Sequence, residues 1–207
     1  MSTMTLFHSP LSPFVRKVMV VLHETGQLQR VQLQPVNISP VSGDQQLNQD
    51  NPIGKIPALR LEDGTVLHDS RVICEYLDQQ HVGLPLLPRE GSARWRRLTM
   101  VSQADAILDA AVSCRYESFL RPEDKRWDGW LQAQGDKIRR SLANLEQEHL
   151  PELMSGFDLA AIGVACALGY LDLRQPEFGW REHQPGLAAW YAEVSKRPSM
   201  VATSPQA

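Results

Sequence analysis

Cysteine is scarce in this chain, and neither sign of charge is in large excess. Cys74, Cys114 and Cys166 are odd in number and far apart, with no CxxC pair and no His at ligand spacing. A disulfide framework and a zinc site are therefore not expected, and reduced, mostly buried thiols are. Lys and Arg total 21 against 24 Asp and Glu, a net charge of -3. Without clustered Lys and Arg, nucleic acid and anionic membrane are not expected as partners. No Lys or Arg precedes Arg16 and no long apolar stretch follows the first residues, so neither a signal peptide nor an anchor is expected. The longest apolar run, Leu159 to Leu171, is broken by Gly163 and Gly169 and is too short to cross a bilayer. A cytoplasmic location follows as the expectation. The six histidines form no HExxH and no G-x-S-x-G elbow surrounds any serine, so no metal, nucleotide or serine-hydrolase site is supported. Repeats and low-complexity segments are absent.

What is present describes a globular chain. At 43% hydrophobic and 22% charged, the 207 residues can bury a core as one large domain or two small ones. Residues 1–81 alternate short strands and helices. Thr3 to Phe7 reads as a strand, and Phe14, Val15, Val18, Val21 and Leu22 recur at helical spacing up to Gly26. Val31 to Val36 is a second strand, and Gln45 to Gln49 is a short helix before the turn at Asn51-Pro52. Ala58 to Leu61 and Thr65 to Leu67 flank Glu62-Asp63-Gly64, whose Asp-Gly is a strong hairpin signal. A helix then runs from Asp69 to about Gln80, with Val72, Ile73, Tyr76 and Leu77 apolar. The order βαβ, short helix, ββ hairpin, helix is thioredoxin-like.

Residues 82–91 hold Pro85, Pro88 and two glycines and read as a linker. Residues 92–207 show no strand. Ser92 to Leu120 presents Trp95, Leu98, Val101, Ile107, Leu108, Ala111 and Val112 as a buried stripe, ended by Pro122. A second helix covers Lys125 to Leu150. Ser155-Gly156-Phe157-Asp158 matches a capping box, with Ser155 as the cap, and opens the apolar run as a central core helix. Leu187, Trp190, Tyr191 and Val194 form a last helix stopped by Pro198. The fold class expected is α/β thioredoxin-like, followed by an all-α helical bundle.

Three motifs carry a specific resemblance: Ser12-Pro13-Phe14-Val15-Arg16-Lys17, then Asn51-Pro52-Ile53-Gly54-Lys55-Ile56-Pro57-Ala58-Leu59, then His68-Asp69-Ser70 leading into Ile73 and Glu75-Tyr76-Leu77. In this order and spacing, ahead of a helical half, the chain resembles the cytosolic glutathione transferases, and among them the bacterial glutathione transferase-like proteins. The resemblance spans nearly the whole chain. It implies glutathione as cosubstrate, no metal and no nucleotide, a homodimer, a role in detoxification, and a small hydrophobic electrophile bound between the two domains. Tyr116, Phe119 and Trp127 then become candidates for lining that pocket, and Asp105 one for reaching a partner subunit's ligand.

The motifs make physical sense for that chemistry. Ser12 before Pro13 is a good helix start, and a helix N-terminus and a hydroxyl donor both favour a thiolate over a thiol. Lowering a thiol pKa by about two units takes roughly 2.7 kcal/mol, and one hydrogen bond to a charged acceptor supplies about 1.5 to 3. Ser12 is thus the candidate thiolate-stabilising residue, with Ser9 of the preceding Ser-Pro as its rival and simple helix capping as the bland alternative. Related families place Cys here and form mixed disulfides; Ser leaves transfer or binding. By the same resemblance Ile56-Pro57 is a cis step that offers the Ile56 backbone to the cysteinyl part of glutathione, as an added strand would. Lys55 meets the glycine carboxylate, Ser70 the γ-glutamyl carboxylate, and Asp69 its amine. Arg16 and Lys17 read as the solvated face of the first helix. The function expected is a glutathione S-transferase; the alternative is a non-catalytic binding or regulatory module of the same fold.

Overall fold

Met4, Leu6 and Phe7 are fully buried because the strand that carries them, β1 (Met4–His8), lies inside a four-stranded sheet. The computed structural model describes residues 3–205 and forms two units, Met1–Arg89 with Pro198–Ala207, and Glu90–Arg197. In the first unit, β1 pairs in parallel with β2 (Val31–Pro35), and α1 (Pro13–Glu24) makes the crossover that parallel strands require. After α2 (Gln45–Asp50), β3 (Ala58–Arg60) runs antiparallel to β1, and β4 (Val66–Leu67) antiparallel to β3, giving the order β2-β1-β3-β4. The predicted Asp-Gly turn joins the last two. Its Asp63 accepts the Thr65 N–H at 2.8 Å, and Gly64 supplies the φ of +87° that a side chain would resist. The helix α3 (Ser70–Asp78) follows and packs on α1.

Two expectations for this unit are corrected. Arg16 and Lys17 do not lie on a solvated face: they are 7% and 0% exposed. The Arg16 guanidinium donates to the Met200 carbonyl at 3.2 Å, and Lys17 sits near Asp69 with its charge acting on that carboxylate. The second correction follows from the first. The helix carrying Leu187 to Val194 is not the last, since it ends at Val194 and Pro198 opens α10 (Pro198–Ala202), which packs on α1 and so belongs with the first unit, not with residues 92–197. Ser199 reinforces that contact through a hydrogen bond to the Glu24 carboxylate at 2.5 Å. The stretch read as a linker is also fastened through Leu87. Asp78, 4% exposed, accepts the N–H groups of Leu86 at 2.6 Å and Leu87 at 3.2 Å, and Leu87 is buried.

The second unit contains α4 (Gly91–Phe119), α5 (Asp128–Asn144), a π-helical turn at Leu145–His149, α6 (Leu150–Met154), α7 (Leu159–Arg174), α8 (Trp180–His183) and α9 (Pro185–Val194). As its composition predicts, α7 is buried on every side from Leu159 to Leu171. Its Gly163 lets α4 come close, since a Cβ there would stand 3.2 Å from the Ala104 Cβ. Trp95 does not join the buried stripe; it is 67% exposed. The capping frame also differs by three residues. Asp158, not Ser155, is the N-cap of α7, accepting from Ala160 and Ala161 at 3.1 and 3.0 Å, while Ser155 ends α6 and donates to the Glu152 carbonyl at 2.7 Å. All three cysteines are free and buried.

Candidate functional site

Sheet register brings the three motifs of the first unit to one end of the sheet. Phe7 lies opposite Ala58, so Ile56-Pro57, just before β3, falls beside the loop that leaves β1 toward Ser12. Leu59 lies opposite Leu67, so the chain leaving β4 reaches Asp69 at the level of Pro57. The register therefore does what spacing alone could only suggest.

Ser12 is the N-cap of α1, with extended backbone and its Oγ accepting the Val15 N–H at 3.3 Å. Its carbonyl takes the Arg16 N–H at 3.0 Å. Pro13 has no N–H, so Phe14 is left with the one unengaged donor of that turn. A hydroxyl has two lone pairs and one proton. Capping uses a lone pair and leaves the O–H to donate, so the cap does not exclude a donor role for Ser12. Ser9, the rival, lies in the loop after β1, and its carbonyl accepts the Ser12 N–H at 3.1 Å. That bond makes Ser9 a support for the backbone of Ser12. Burial pushes the nearby His8 imidazole below its ordinary pKa, so it is neutral at pH 7 and adds no positive charge here.

The Ile56-Pro57 peptide is cis, and the His68-Asp69 peptide is cis as well. Pro57 is buried and Ile56 half-buried. Among the described residues, neither the N–H nor the C=O of Ile56 has a hydrogen-bond partner. A backbone left open on both counts can take an extended ligand as a further strand. Asn51, which sequence reading treated only as a turn residue, shapes this loop. It is 1% exposed, donates to the Lys55 carbonyl at 2.8 Å and accepts the Ile53 N–H at 3.2 Å. An Asn that bonds the backbone two residues on is an Asx turn, and Asn-Pro was its sequence signal. Lys55 itself is exposed.

Asp69 caps α3 and accepts the Arg71 N–H at 2.8 Å. The Arg71 guanidinium reaches both its oxygens, at 3.4 and 2.9 Å. Burial alone would push the Asp69 carboxyl up, but these bonds and the charges of Arg71 and Lys17 outweigh it and hold the pKa below its usual value. Asp69 is therefore an anion at neutral pH, with lone pairs to spare beyond those Arg71 uses. Ser70 is 2% exposed, and among the described residues its hydroxyl has no partner. It stands at a helix N-terminus whose first N–H groups suit a carboxylate.

The candidates in the second unit behave differently. Tyr116, Phe119 and Trp127 are 38%, 64% and 68% exposed, so none is core. Asp105 is buried at 6%. No group of three or more His, Cys, Asp or Glu among the described residues is arranged to hold a metal. No helix among them is long and apolar enough to cross a membrane.

A thioredoxin-like unit with an open backbone beside a cis proline, followed by a helical unit, defines a class, and the chain belongs to the glutathione S-transferase family. Residues 6–85 match the glutathione S-transferase N-terminal domain and residues 128–193 the C-terminal domain. The GST-like protein YibF of Escherichia coli is 35% identical over 205 residues, covering 98% of each chain. A glutathione transferase family member from Pseudomonas fluorescens Pf-5, solved with bound glutathione, is 65% identical with a TM-score of 0.98, covering 99% of this chain and 100% of that one. A second such structure, with bound S-(propanoic acid)-glutathione, is 62% identical with a TM-score of 0.93 and the same coverage.

Proposed function

We propose that this protein is a glutathione S-transferase that binds glutathione on its first unit and presents the thiolate to a small hydrophobic electrophile. One observation carries the reading: the Ser12 hydroxyl proton, the Ile56 backbone and the Ser70 hydroxyl stand open at one end of the sheet. Each matches a different part of the tripeptide. Ile56 pairs with the cysteinyl backbone, Ser70 and the α3 N-terminus take the γ-glutamyl carboxylate, Asp69 faces the amine, and Lys55 meets the glycine carboxylate. Ser12 donates to the sulfur and lowers its pKa. The thiolate then forms a C–S bond while the electrophile's leaving group, or its π pair, takes the displaced electrons. The thioether in the ligand of the relative from Pseudomonas fluorescens is the kind of bond this step makes.

Ser12 supplies no sulfur, so an enzyme-linked disulfide has no attachment point at this position and conjugation is favoured over thiol exchange. A homodimer belongs to this reading, and Val72 on α3 and Trp95 on α4 are among the exposed apolar residues open to a partner copy. Detoxification in the cytoplasm completes the reading.

The competing reading is a binding or regulatory module. Such a module would not need all three open groups. Calorimetric titration with glutathione, followed by conjugation assays across several electrophiles, separates the two. Binding with turnover is expected. No binding at millimolar glutathione would put the module reading ahead. Within the transferase reading, Ser70→Ala should raise the glutathione Kd about tenfold, the worth of one hydrogen bond to a charged group, and change kcat little, which titration and saturation kinetics will show.

A further inference from the structure

The Ile56 N–H, which the proposed function offers to glutathione, shares one peptide group with the Lys55 carbonyl. That peptide is trans, and in a trans peptide the C=O and N–H lie in one plane and point in opposite directions. Whatever fixes the carbonyl therefore aims the N–H. The Lys55 carbonyl is held by Asn51, whose side-chain N–H donates to it at 2.8 Å. Only one orientation of the Asn51 carboxamide suits its partners, because a carbonyl only accepts and the Ile53 N–H, 3.2 Å from Oδ1, only donates.

Asn51 is itself held on every side. It is buried, its own N–H donates to the Leu47 carbonyl at 2.7 Å, and its carbonyl accepts the Gly54 N–H at 2.8 Å. Leu47 carries this frame into the core, where it is fully buried with Phe7, Val36 and Ala58. Next to Asn51, the Asp50 carboxylate pairs with the Arg60 guanidinium of β3. An apolar and an ionic contact thus fasten α2 to the sheet, and Asn51 extends that frame to the Lys55 carbonyl. A donor on a carbonyl also polarises its peptide group, which makes the N–H at the other end a stronger donor.

We propose that Asn51 is a positioning residue for glutathione: without touching the ligand, it aims the Ile56 N–H at the cysteinyl carbonyl of the tripeptide. The proposal rests on the transferase reading and adds to it a residue that acts from behind the loop. The competing account is that Asn51 only stabilises its own turn. The two accounts depend on different atoms. Oδ1 makes the turn with Ile53, whereas Nδ2 holds the Lys55 carbonyl and with it the Ile56 N–H.

Asn51→Asp separates them, since it keeps the oxygen that accepts from Ile53 and removes the donor to Lys55. At neutral pH, and well below the melting temperature, the glutathione Kd and KM should rise about tenfold, the worth of one well-aimed hydrogen bond. The kcat at saturating glutathione should change little, because Asn51 touches no reacting atom. Protonating the new carboxyl supplies an O–H in place of the lost N–H, so the ratio of variant to unmodified Kd should shrink as pH falls. Nuclear magnetic resonance of the unmodified protein reads the same coupling without a variant. The Ile56 amide proton should move downfield as glutathione saturates, and an Asn51 side-chain amide proton should move with it, since both bonds load one peptide group. A variant that melts lower yet keeps its glutathione Kd overturns the proposal, and so does an Asn51 side-chain signal that glutathione leaves in place; the transferase reading survives either result. If the unmodified protein fails to bind glutathione, both are overturned.

Discussion

Ser12→Ala should lower kcat/KM for conjugation by about 10- to 150-fold, the worth of one hydrogen bond to a charged acceptor. The substitution removes the O–H donor and the helix cap together, because the same oxygen accepts the Val15 N–H. Their signatures differ. Loss of the cap costs about 1 kcal/mol of stability and appears in the melting temperature. Loss of the donor raises the pKa of the bound thiol, so the pH–rate profile should move to higher pH by about one to two units and the variant should recover as pH rises. The thiolate's ultraviolet absorbance in the binary complex should shift in parallel. A profile that stays in place while the rate falls would mean that Ser12 acts through the helix alone. Ser9→Ala serves as the control, since Ser9 contributes its carbonyl rather than its hydroxyl to this turn.

Asp158→Ala should have the largest effect on stability. Asp158 caps α7, which packs on α4 and α9, and its other oxygen meets the Arg97 guanidinium at 2.7 Å with both side chains largely shielded from solvent. A cap is worth about 1 kcal/mol, and breaking a buried pair about 3 to 5. Arg97 keeps a second carboxylate, Glu152 at 3.0 Å, so the lower part of that range applies. A loss of about 2 to 4 kcal/mol is expected, lowering Tm by roughly 5 to 15 °C for a chain of this size. Asp158→Asn retains the capping oxygen and should recover about half of the loss. If Asn proves as damaging as Ala, the ion pair and not the cap fastens α7.

Much of this was legible in the residues. Short-range signals identified the first unit: the alternation of β1, the Asp-Gly turn, Ser12 before Pro13, and Asp69 before an amphipathic run. Each depends only on neighbours along the chain. The failures share the opposite property. Arg16 and Lys17 look like solvent-facing cations because nothing nearby in sequence covers them, and what covers Arg16 comes from residue 200. Pro198 read as a stop because Pro interrupts helices, yet it suits the first turn of a new one equally well. Ser155 and Asp158 both offer a capping oxygen, and spacing cannot choose between frames three residues apart. In the site, Ser12, Ile56, Pro57, Asp69 and Ser70 were visible as motifs. That β-pairing sets them at one end of the sheet was not, since register is a property of strand partners.

The return of α10 to α1 has a consequence for synthesis. Domains emerging from the ribosome usually fold as units, the first one first. Here the residue that covers Arg16 emerges after all of α4 to α9, so the first unit waits for α10 while the second is made. Arg16 spends that interval exposed, one turn from Ser12. The packing of α1 is complete only when α10 arrives, and a truncation ahead of Pro198 would be felt at Arg16, far away in the sequence.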